Sequence, residues 1–244
     1  MTHAARRRLD QLLVERGLAA TRAKAQALVL AGQVLVDGQK APKPGHAISG
    51  DARIEVLQMP RYVGRGGLKL EAALEQFGID VRARVCADIG ASTGGFTDCL
   101  LQHGAARVYA VDVGAGQLDW KLRGDPRVVV RERINARYLR PEDLGEPVDL
   151  AVMDVSFISA TLVIPAAAAL LKDSGEMVIL VKPQFEAGRG QVGKGGIVRD
   201  PGLRTQACER VGRRVEELGF RTSFIESPIL GAEGNKEFLL YARH

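Results

Sequence analysis

Apolar residues are grouped in short runs through most of the chain, and glycine-rich or polar stretches separate these runs. From residue 85 onward the runs read VCADIG, VYAVDV, VVVRERI, VDLAVMDV, EMVILVK and EFLLYA. Runs of this length predict buried strands, and apolar residues at helical spacing between them predict helices. The alternation indicates an α/β fold, with a mainly parallel sheet and helices on both faces.

The beginning of the chain follows a different pattern. Two stretches after residue 9 place apolar residues at helical spacing, with a break at Gly17. Thr21 is a candidate cap for the second helix, which we predict over residues 22–31. Residues 33–36 and 52–57 predict short strands. Proline and a loss of periodicity follow, so we expect a small α+β domain over residues 1–59, a linker over 60–64 and a larger domain over 65–244.

The charge pattern indicates the class of partner. The formal net charge is only +5 and the pI is near 9.3, but basic residues cluster at residues 6–8, 61–69 and 182–199. Any of these clusters alone could be a solvated surface. Because they adjoin glycine-rich or linker segments, together they favour a polyanion, with nucleic acid as the leading partner.

The cysteines and the apolar runs disfavour zinc-binding, disulfide-bonded, membrane-spanning and exported proteins. Cys86, Cys99 and Cys208 lack metal-site spacing, which indicates no zinc site and no disulfide framework. The most apolar run, residues 157–171, contains a proline and is shorter than the roughly 18 apolar residues of a membrane helix. The charged N-terminus is followed by no signal-peptide core. We therefore expect a cytoplasmic protein without a membrane partner; nothing indicates an oligomeric state.

The stretch DIGASTGGFTDCLL, residues 88–101, predicts a strand, a glycine turn and a helix. Such a turn commonly binds a ligand. It lacks the lysine and hydroxyl of a phosphate-binding GxxxxGK[ST] loop, and it does not match GxGxxG. Asp88, at the end of the strand, would place a carboxylate beside a pyrophosphate. A ligand that carries ammonium or hydroxyl groups suits this turn better.

Asp112 ends the next strand. It follows Asp88 at close to the sequence separation, about 20 residues, at which an acid in a dinucleotide-binding fold bonds ribose hydroxyls. Strand, DxGxxxGG turn, helix, strand and Asp together resemble the S-adenosylmethionine site of Rossmann-like methyltransferases. Asp112 as a strand-end cap and Asn135 as a plain turn residue stay open as alternatives. The cofactor-binding residues that the resemblance implies are Asp88, Gly90, Ala91, Ser92, Gly94, Gly95, Phe96, Asp112, Asn135 and Asp154.

Missing motifs restrict the methyl acceptor. The chain has Asp154-Val155-Ser156-Phe157 where amino-methylating enzymes have [DN]PP[FY], and no cysteine lies in a loop suited to carbon methylation. These absences disfavour exocyclic amines and cytosine C5 as acceptors. Phe157, and Phe185 after the fifth strand, are predicted either to stack on a base or cofactor or to be core residues.

Ionic residues at the predicted strand ends resemble a known catalytic set. Lys69, Asp154, Lys182 and Glu237 match, in order and context, the Lys-Asp-Lys-Glu tetrad of ribose 2'-O-methyltransferases similar to the FtsJ/RrmJ family. The resemblance implies that Lys182 is the general base, that Asp154 orients it, and that the other two residues position or tune it. Sequence alone does not separate Lys182 from Lys69 as the base.

The first domain resembles the alpha-L type RNA-binding domain of a ribosomal protein and of many pseudouridine synthases. The resemblance lies in Arg8-Leu9-Asp10, Gly17, Thr21-Arg22, Gly32 and Asp37-Gly38, among others. The alternative is a generic helical hairpin with solvated charges. The implied phosphate contacts, on the faces of two packed helices, are Arg6, Arg8, Arg22 and Lys24. Further RNA contacts are predicted at Arg65, Arg189 and Lys194.

Taken together, RGGLKLEAALEQF, DIGASTGGFTDCLL, VDVGAGQLDWKLR, MDVSFIS, LVKPQFEAGRGQVGKGG and GNKEFLL resemble the TlyA family. The resemblance implies an S-adenosylmethionine-dependent cytidine 2'-O-methyltransferase of ribosomal RNA, acting on naked RNA or a ribosomal subunit. Longer dual-specificity members extend past the final strand, so we expect 23S RNA as the main substrate, with 16S as a second. The alternatives are a non-catalytic ribosome-assembly factor and a membrane-active hemolysin, the family's other label.

Overall fold

The computed structural model describes residues 6–57, 60–188, 190, 192–193, 195–231 and 234–244. The chain divides into two compact units, Met1–Pro60 and Arg61–His244. The division falls in the proline-containing stretch where the hydrophobic periodicity is lost. The residue-level boundaries 1–59, 60–64 and 65–244 stay a prediction.

The first unit packs two helices beside short antiparallel strands. β2 pairs with β3 and β5, and β1 pairs with β4; these elements are β1 (Arg6–Arg8), α1 (Leu9–Glu15), α2 (Arg22–Leu30), β2 (Val34–Val36), β3 (Gln39–Lys40), β4 (Ala47–Ser49) and β5 (Ile54–Val56). Thr21 Oγ1 accepts a hydrogen bond from the Lys24 amide at 3.2 Å, so Thr21 caps α2 as predicted. Leu9, Leu13 and Ala25 are fully buried between the helices and strands, which gives this unit its own core.

The second unit contains a seven-stranded sheet with helices on both faces. Its elements are α3 (Gly66–Phe77), β6 (Val85–Ile89), α4 (Gly95–Gln102), β7 (Arg107–Val111), α5 (Trp120–Arg123), β8 (Val128–Arg131), α6 (Pro141–Leu144), β9 (Val148–Met153), α7 (Ile164–Ala169), β10 (Leu171–Val181), α8 (Pro183–Glu186), α9 (Pro201–Glu216), β11 (Arg221–Glu226) and β12 (Phe238–Arg243). Single turns of 3₁₀ helix span Ala136–Tyr138 and Ala160–Leu162.

The strands lie in the order β11, β12, β10, β9, β6, β7, β8. β10, β9, β6, β7 and β8 are parallel, and β12 runs antiparallel between β10 and β11. The predicted mainly parallel α/β sheet is therefore confirmed, and all six apolar runs form strands. β11 was not predicted, because its sequence, RTSFIE, contains no continuous apolar run and no buried residue, and it pairs only with β12 at the sheet edge.

Successive residues of the central strands face two separate apolar clusters. On β6, Cys86 packs in one cluster, while Ala87 and Ile89 pack in the other. Alternation of side chains across a strand places neighbours on opposite faces, and both faces are covered here. This explains why the central strands read as continuous apolar runs.

Candidate active site

The carboxyl ends of the parallel strands meet at one edge of the sheet. The chain passes from β6 to β7 on one side and returns to β9 on the other, and ligands bind at such a reversal. Gly90, Asp112, Asp154 and Lys182 directly follow β6, β7, β9 and β10. β12 runs the opposite way, and its register pairs Phe238 with Val181. The residue before it, Glu237, therefore lies at the same edge.

The glycine turn after β6 has no room for larger residues. Gly90 has φ +87°, and a Cβ on it would lie 2.5 Å from the carbonyl oxygen of Asp154. Gly94, at φ +97°, precedes α4, and a Cβ there would lie 2.3 Å from Leu122 Cδ1. Left-handed backbone favours glycine, and both close approaches require it. The turn is thus pressed against the segment that carries Asp154.

Asp88 is fully buried at the end of β6. Thr97 Oγ1 donates to its Oδ2 at 2.6 Å, whereas no described residue hydrogen-bonds its Oδ1. The pKa of Asp88 is raised to about 7: burial is the largest cause, the Thr97 hydrogen bond opposes it, and the charge of Asp154 adds to it. An isolated buried carboxylate is costly unless a donor or cation meets it. The site therefore suits a ligand that brings a positive group to Oδ1.

Two adjoining cavities open at this edge, and they share Gly90, Ser92, Asp154 and Ser156. The cavity of about 180 Å³ contains Asp88, and the Lys182 side chain also lines it. The cavity of about 430 Å³ extends past the ends of β7 and β9. Together they form a continuous crevice from the buried carboxylate to the second strand end.

Asp112 and Asn135 both line the larger cavity. Asp112 Oδ2 accepts from the Ser92 amide at 2.8 Å, and its Oδ1 accepts from the Gly114 amide at 2.7 Å. Asn135 Oδ1 accepts from the Arg137 amide at 3.0 Å and caps the 3₁₀ turn. Each side chain has a local structural contact and also faces the crevice, so capping and ligand binding are compatible here.

Other predicted cofactor residues lie around the same turn. Ala91, Ser92, Gly95 and Phe96 line the smaller cavity. Gly94 is not among the described lining residues of either cavity; it fixes the backbone from which α4 begins. The sequence therefore located the turn correctly, while the ligand role of each residue stays a prediction.

Lys182 forms one of two separate ion pairs among the predicted catalytic residues. Its Nζ lies 2.5 Å from Asp154 Oδ1 and donates to Ser156 Oγ at 2.7 Å. The side chain is about one-tenth exposed and reaches the smaller cavity. A lysine amine is thus held between a carboxylate and a hydroxyl at the wall of the crevice.

The second ion pair joins Lys69 on α3 to Glu237. Lys69 Nζ donates to Glu237 Oε2 at 2.5 Å, and both residues are buried. Neither is among the described residues that line the two cavities. The structure thus pairs the four residues as Lys182–Asp154 at the crevice and Lys69–Glu237 behind it.

Comparison with known proteins assigns both units. A model of the FtsJ-like methyltransferases matches residues 62–244, and a model of the S4 domain matches residues 7–54. The 16S/23S rRNA (cytidine-2'-O)-methyltransferase TlyA of Mycobacterium tuberculosis is 51% identical over 243 residues, 98% of this chain and 91% of that protein. This chain belongs to the TlyA family of FtsJ-like methyltransferases. The predicted family and fold, and with them the S-adenosylmethionine cofactor, are confirmed.

Other TlyA-family relatives carry the hemolysin label. Hemolysin A of Brachyspira hyodysenteriae is 47% identical over 96% of this chain and 98% of its own length. A solved structure of a hemolysin-labelled protein from Streptococcus thermophilus is 46% identical, with a TM-score of 0.75 over 98% of this chain and 88% of that one. In the described part of this chain, no helix is long and apolar enough to cross a membrane. Those residues also include no cluster of metal-binding side chains.

The predicted RNA-contacting residues of the first unit lie on a strand as well as on a helix. Arg22 and Lys24 lie on α2, but Arg6 and Arg8 lie on β1, so their predicted placement on a helix face was wrong. Apolar spacing begins only at Leu9, and the preceding arginines pair with β4, which sequence periodicity does not reveal. Arg65, in the second unit, lines the smaller cavity and donates to the Leu230 carbonyl at 3.1 Å. Arg189 and Lys194 lie outside the described residues.

Asp10 organises two of these arginines. It is fully buried, and its carboxylate accepts from Arg8 at 2.9 and 3.0 Å, from Arg22 at 3.0 Å and from Gln26 at 2.9 Å. The Arg8 hydrogen bond is the largest influence that lowers the pKa of Asp10, and the contacts of Gln26 and Arg22 lower it further. The half-exposed guanidinium groups are therefore fixed at the surface while their shared acceptor lies inside.

Asp10→Asn is expected to destabilise the first unit by about 1–3 kcal/mol, because the arginines lose a buried charged acceptor. Since the folded-state pKa is lowered, this stabilisation is present above the ordinary value near 3.8 and is lost as the pH falls through the folded-state value. Denaturant unfolding of the full chain measures the change. Asp51→Asn, at an exposed acid, is the control and should change the free energy of unfolding far less. Equal effects of both variants would contradict the prediction.

Two polar residues of the site were not predicted. Thr97 holds Asp88, and Ser156 holds Lys182. Thr97 lies in the first turn of α4, within DIGASTGGFTDCLL, and Ser156 lies two residues after Asp154. Both could have been suggested by their closeness to predicted residues, but only the fold shows which way their hydroxyl groups point.

Proposed function

We propose that this TlyA-family chain transfers a methyl group from S-adenosylmethionine to the ribose 2'-hydroxyl of a cytidine in ribosomal RNA. The observation that carries the proposal is the Lys182–Asp154 ion pair at the wall of the crevice beside the glycine turn. A basic amine at this place suits a hydroxyl acceptor, which must lose a proton as it is methylated. The Mycobacterium tuberculosis relative is named as an rRNA (cytidine-2'-O)-methyltransferase, which supports the same acceptor.

The crevice fits the methyl donor. Asp88 Oδ1 is buried without a described hydrogen-bond partner, which suits the ammonium group of the donor's methionine portion. Asp112, at the end of β7, is proposed to accept from ribose hydroxyls, and Asn135, which lines the same cavity, is proposed to meet the adenine. When bound, S-adenosylmethionine supplies an electrophilic methyl group on a positively charged sulfur. Gly90 keeps the turn close to the Asp154 segment, so donor and acceptor positions adjoin.

Lys182 is the proposed general base. The ammonium of the ion pair first releases a proton to solvent; the neutral amine then accepts the proton of the ribose hydroxyl as that oxygen is methylated, and Asp154 orients the amine and stabilises the ammonium that forms again. Ser156 Oγ accepts from the same nitrogen and restricts its position further. The buried Lys69–Glu237 pair lies behind these groups and is proposed to position them. Base assistance of this kind contributes about 10²- to 10⁴-fold to a rate.

The first unit is proposed to bind the RNA. Its match to the S4 domain and the surface guanidinium groups held by Asp10 support phosphate contacts. Phe157, beside Asp154, is 92% exposed, so the interpretation of Phe157 as a core residue was wrong. Its ring is proposed to stack on the target base. We propose 23S RNA as the main substrate and 16S as a second, in the cytoplasm.

The proposed function is tested by transfer of labelled methyl from S-adenosylmethionine to unmodified large and small ribosomal subunits and to naked RNA. Mapping that is sensitive to 2'-O-methylation then locates the product. We expect label on a cytidine 2'-oxygen, mainly in the large-subunit RNA. Cofactor binding without label on any of these substrates would overturn the proposal and favour an assembly factor with a retained cofactor pocket.

Cofactor affinity is expected to fall below neutral pH. Asp88 has a pKa of about 7 in the unliganded fold, above its ordinary value of 3.8, so it is largely protonated at lower pH. Binding the donor's ammonium requires the carboxylate, so affinity should fall about tenfold per pH unit below pH 7. Titration calorimetry between about pH 5 and pH 8 measures this slope.

Asp88→Asn should bind the cofactor weakly and with little pH dependence. Asp80→Asn removes an exposed acid that pairs with Arg82 and should keep the wild-type slope. The same pKa shift makes the contribution of Asp88 to folding stability decline as the pH rises from about 4 to 7, because the folded state binds the proton more tightly. A wild-type affinity that is flat across this range would show that Asp88 does not meet the ammonium.

A further inference from the structure

Glu186 places a buried carboxylate next to the catalytic segments, although no part of the proposed mechanism uses it. It ends α8, the short helix that directly follows Lys182, and it is 3% exposed. Its Oε1 accepts from the Ala160 amide at 2.7 Å, and its Oε2 accepts from Ser159 Oγ at 2.5 Å. The carboxylate therefore joins the chain after β10 to the chain after β9.

These contacts hold the far end of a functional segment, residues 154–160. Its near end is fixed by the sheet, since the Asp154 amide donates to the Ile89 carbonyl at 3.0 Å. Asp154 and Ser156 both contact Lys182 Nζ. Phe157 has φ +66°, a strained conformation for a non-glycine residue. Such a backbone persists only when both of its ends are held.

Three side chains from one short stretch meet residues 154–160. Lys182 contacts Asp154 and Ser156, the Phe185 ring lies 5.4 Å from the Phe157 ring, and Glu186 binds the amide that follows Ser159. The base and the group that fixes its partners are thus only four residues apart in sequence. Movement of either segment changes the position of the amine relative to Asp154.

The 3₁₀ turn Ala160–Leu162 does not require the Glu186 carboxylate as a cap. Ser159 already caps this turn, since its Oγ accepts from the Thr161 amide at 3.3 Å. Burial raises the pKa of Glu186, which means that keeping its charge there is unfavourable. Arg210 donates to the Glu186 backbone carbonyl and so anchors α8 against α9. A costly buried group that ties two site segments together points to a positioning role rather than simple capping.

We propose that Glu186 is a positioning residue for methyl transfer, whose carboxylate holds residues 154–160 so that Asp154 and Ser156 stay against Lys182. The kinetic part of this inference rests on the proposed function. The structural part does not, because it concerns the order of one segment in the unliganded protein. The two parts therefore have separate tests.

Hydrogen exchange of the full chain tests the structural part. In Glu186→Ala we expect amide exchange in a peptide over residues 155–163 to rise about tenfold or more, because the amide of Ala160 loses its acceptor. A peptide over residues 85–102 should exchange as in the wild type. Unchanged exchange over 155–163 would overturn the proposal, even if the protein methylates no RNA.

Kinetics test the catalytic part, with the cofactor saturating and the RNA concentration varied, so that kcat and KM for RNA are measured separately. Glu186→Ala is expected to lower kcat about 10- to 100-fold, because a misplaced base loses alignment, while KM for RNA changes less than about threefold. Glu186→Gln retains an acceptor for the Ala160 amide and a donor for Ser159, so we expect kcat within about threefold of wild type. Ser159→Ala removes the hydrogen bond to Glu186 and the cap of the 3₁₀ turn but leaves the bond from the Ala160 amide to Glu186, so its kcat should lie between the two.

Glu176→Ala is the matched control for a general loss of stability. Glu176 is a half-buried acid on β10 itself, where it pairs with Arg84 and accepts from Tyr241, away from Lys182 at the strand's end. We expect a lower Tm but a kcat within about threefold of wild type. A wild-type kcat in Glu186→Ala, no rescue by glutamine, or an equal loss in Glu176→Ala would overturn the positioning role. If the wild-type protein itself transfers no methyl, the proposed function fails and hydrogen exchange alone decides on Glu186.

Discussion

Lys182→Ala is expected to lower methyl transfer to RNA by about 10²- to 10⁴-fold, because the ribose hydroxyl loses its general base. Lys182 is the predicted catalytic lysine that lines the cavity, and Asp154 and Ser156 hold its amine there. The single-turnover rate at saturating cofactor, with an unmodified ribosomal subunit as substrate, measures the loss. Lys182→Arg should be equally inactive, since a guanidinium stays protonated and cannot act as a base.

Lys172→Ala is the matched control for this variant. Lys172 lies on the same strand as the residues that lead to Lys182, but it pairs with Asp149 at 2.7 Å near the opposite end. Its loss should leave the rate within about threefold of wild type. A near-normal rate in Lys182→Ala together with an inactive Lys69→Ala would contradict the assignment and make Lys69 the base.

Gly90→Ala is expected to reduce methyl transfer about 10²-fold through displacement of the reacting groups. The new Cβ would lie 2.5 Å from the Asp154 carbonyl oxygen, a contact that requires the turn or the strand end to move. The alanine would also have to adopt φ +87°, which costs about 1–2 kcal/mol. Cofactor affinity, measured by calorimetry, should fall as well, because the turn lines both cavities.

Gly78→Ala separates steric displacement from backbone strain. Gly78 directly follows α3 and has φ +66°, and nothing lies within 4 Å of a Cβ placed on it. It should cost about 1–2 kcal/mol of stability and leave the rate and the cofactor affinity unchanged. If Gly90→Ala behaves like Gly78→Ala, the close approach of the turn to Asp154 is not needed for catalysis.

Much of the site could be predicted because strand ends are visible in the sequence. Buried parallel strands read as continuous apolar runs, so the first polar residue after each run lies at the crevice edge. Asp112, Asp154 and Lys182 were located in this way, and the structure places all three at that edge. The glycine turn was equally visible, since few residue types other than glycine adopt its backbone.

Side-chain contacts between distant segments could not be predicted in the same way. Ser156 and Glu186 lie in the motifs MDVSFIS and LVKPQFEAGRGQVGKGG. The motifs do not reveal that Ser156 hydrogen-bonds Lys182 or that Glu186 hydrogen-bonds Ala160. The placement of Arg8 on a strand depends on pairing with β4, where its partner is Ala47, distant in sequence. Such contacts depend on which segments the sheet brings together, and local periodicity does not predict which segments become neighbours.

The sequence by itself determined the α/β class, the order of the strands along the chain, the glycine turn and the family. These follow from local patterns, because burial and backbone conformation restrict residue types position by position. Only the tertiary structure decided that β12 runs antiparallel beside β10, which brings Glu237 to the edge where Lys182 lies. It also divided the four ionic residues into a pair at the crevice and a pair behind it. Strand order in space and the directions of side chains depend on packing across the whole sheet, so no single stretch of sequence specifies them.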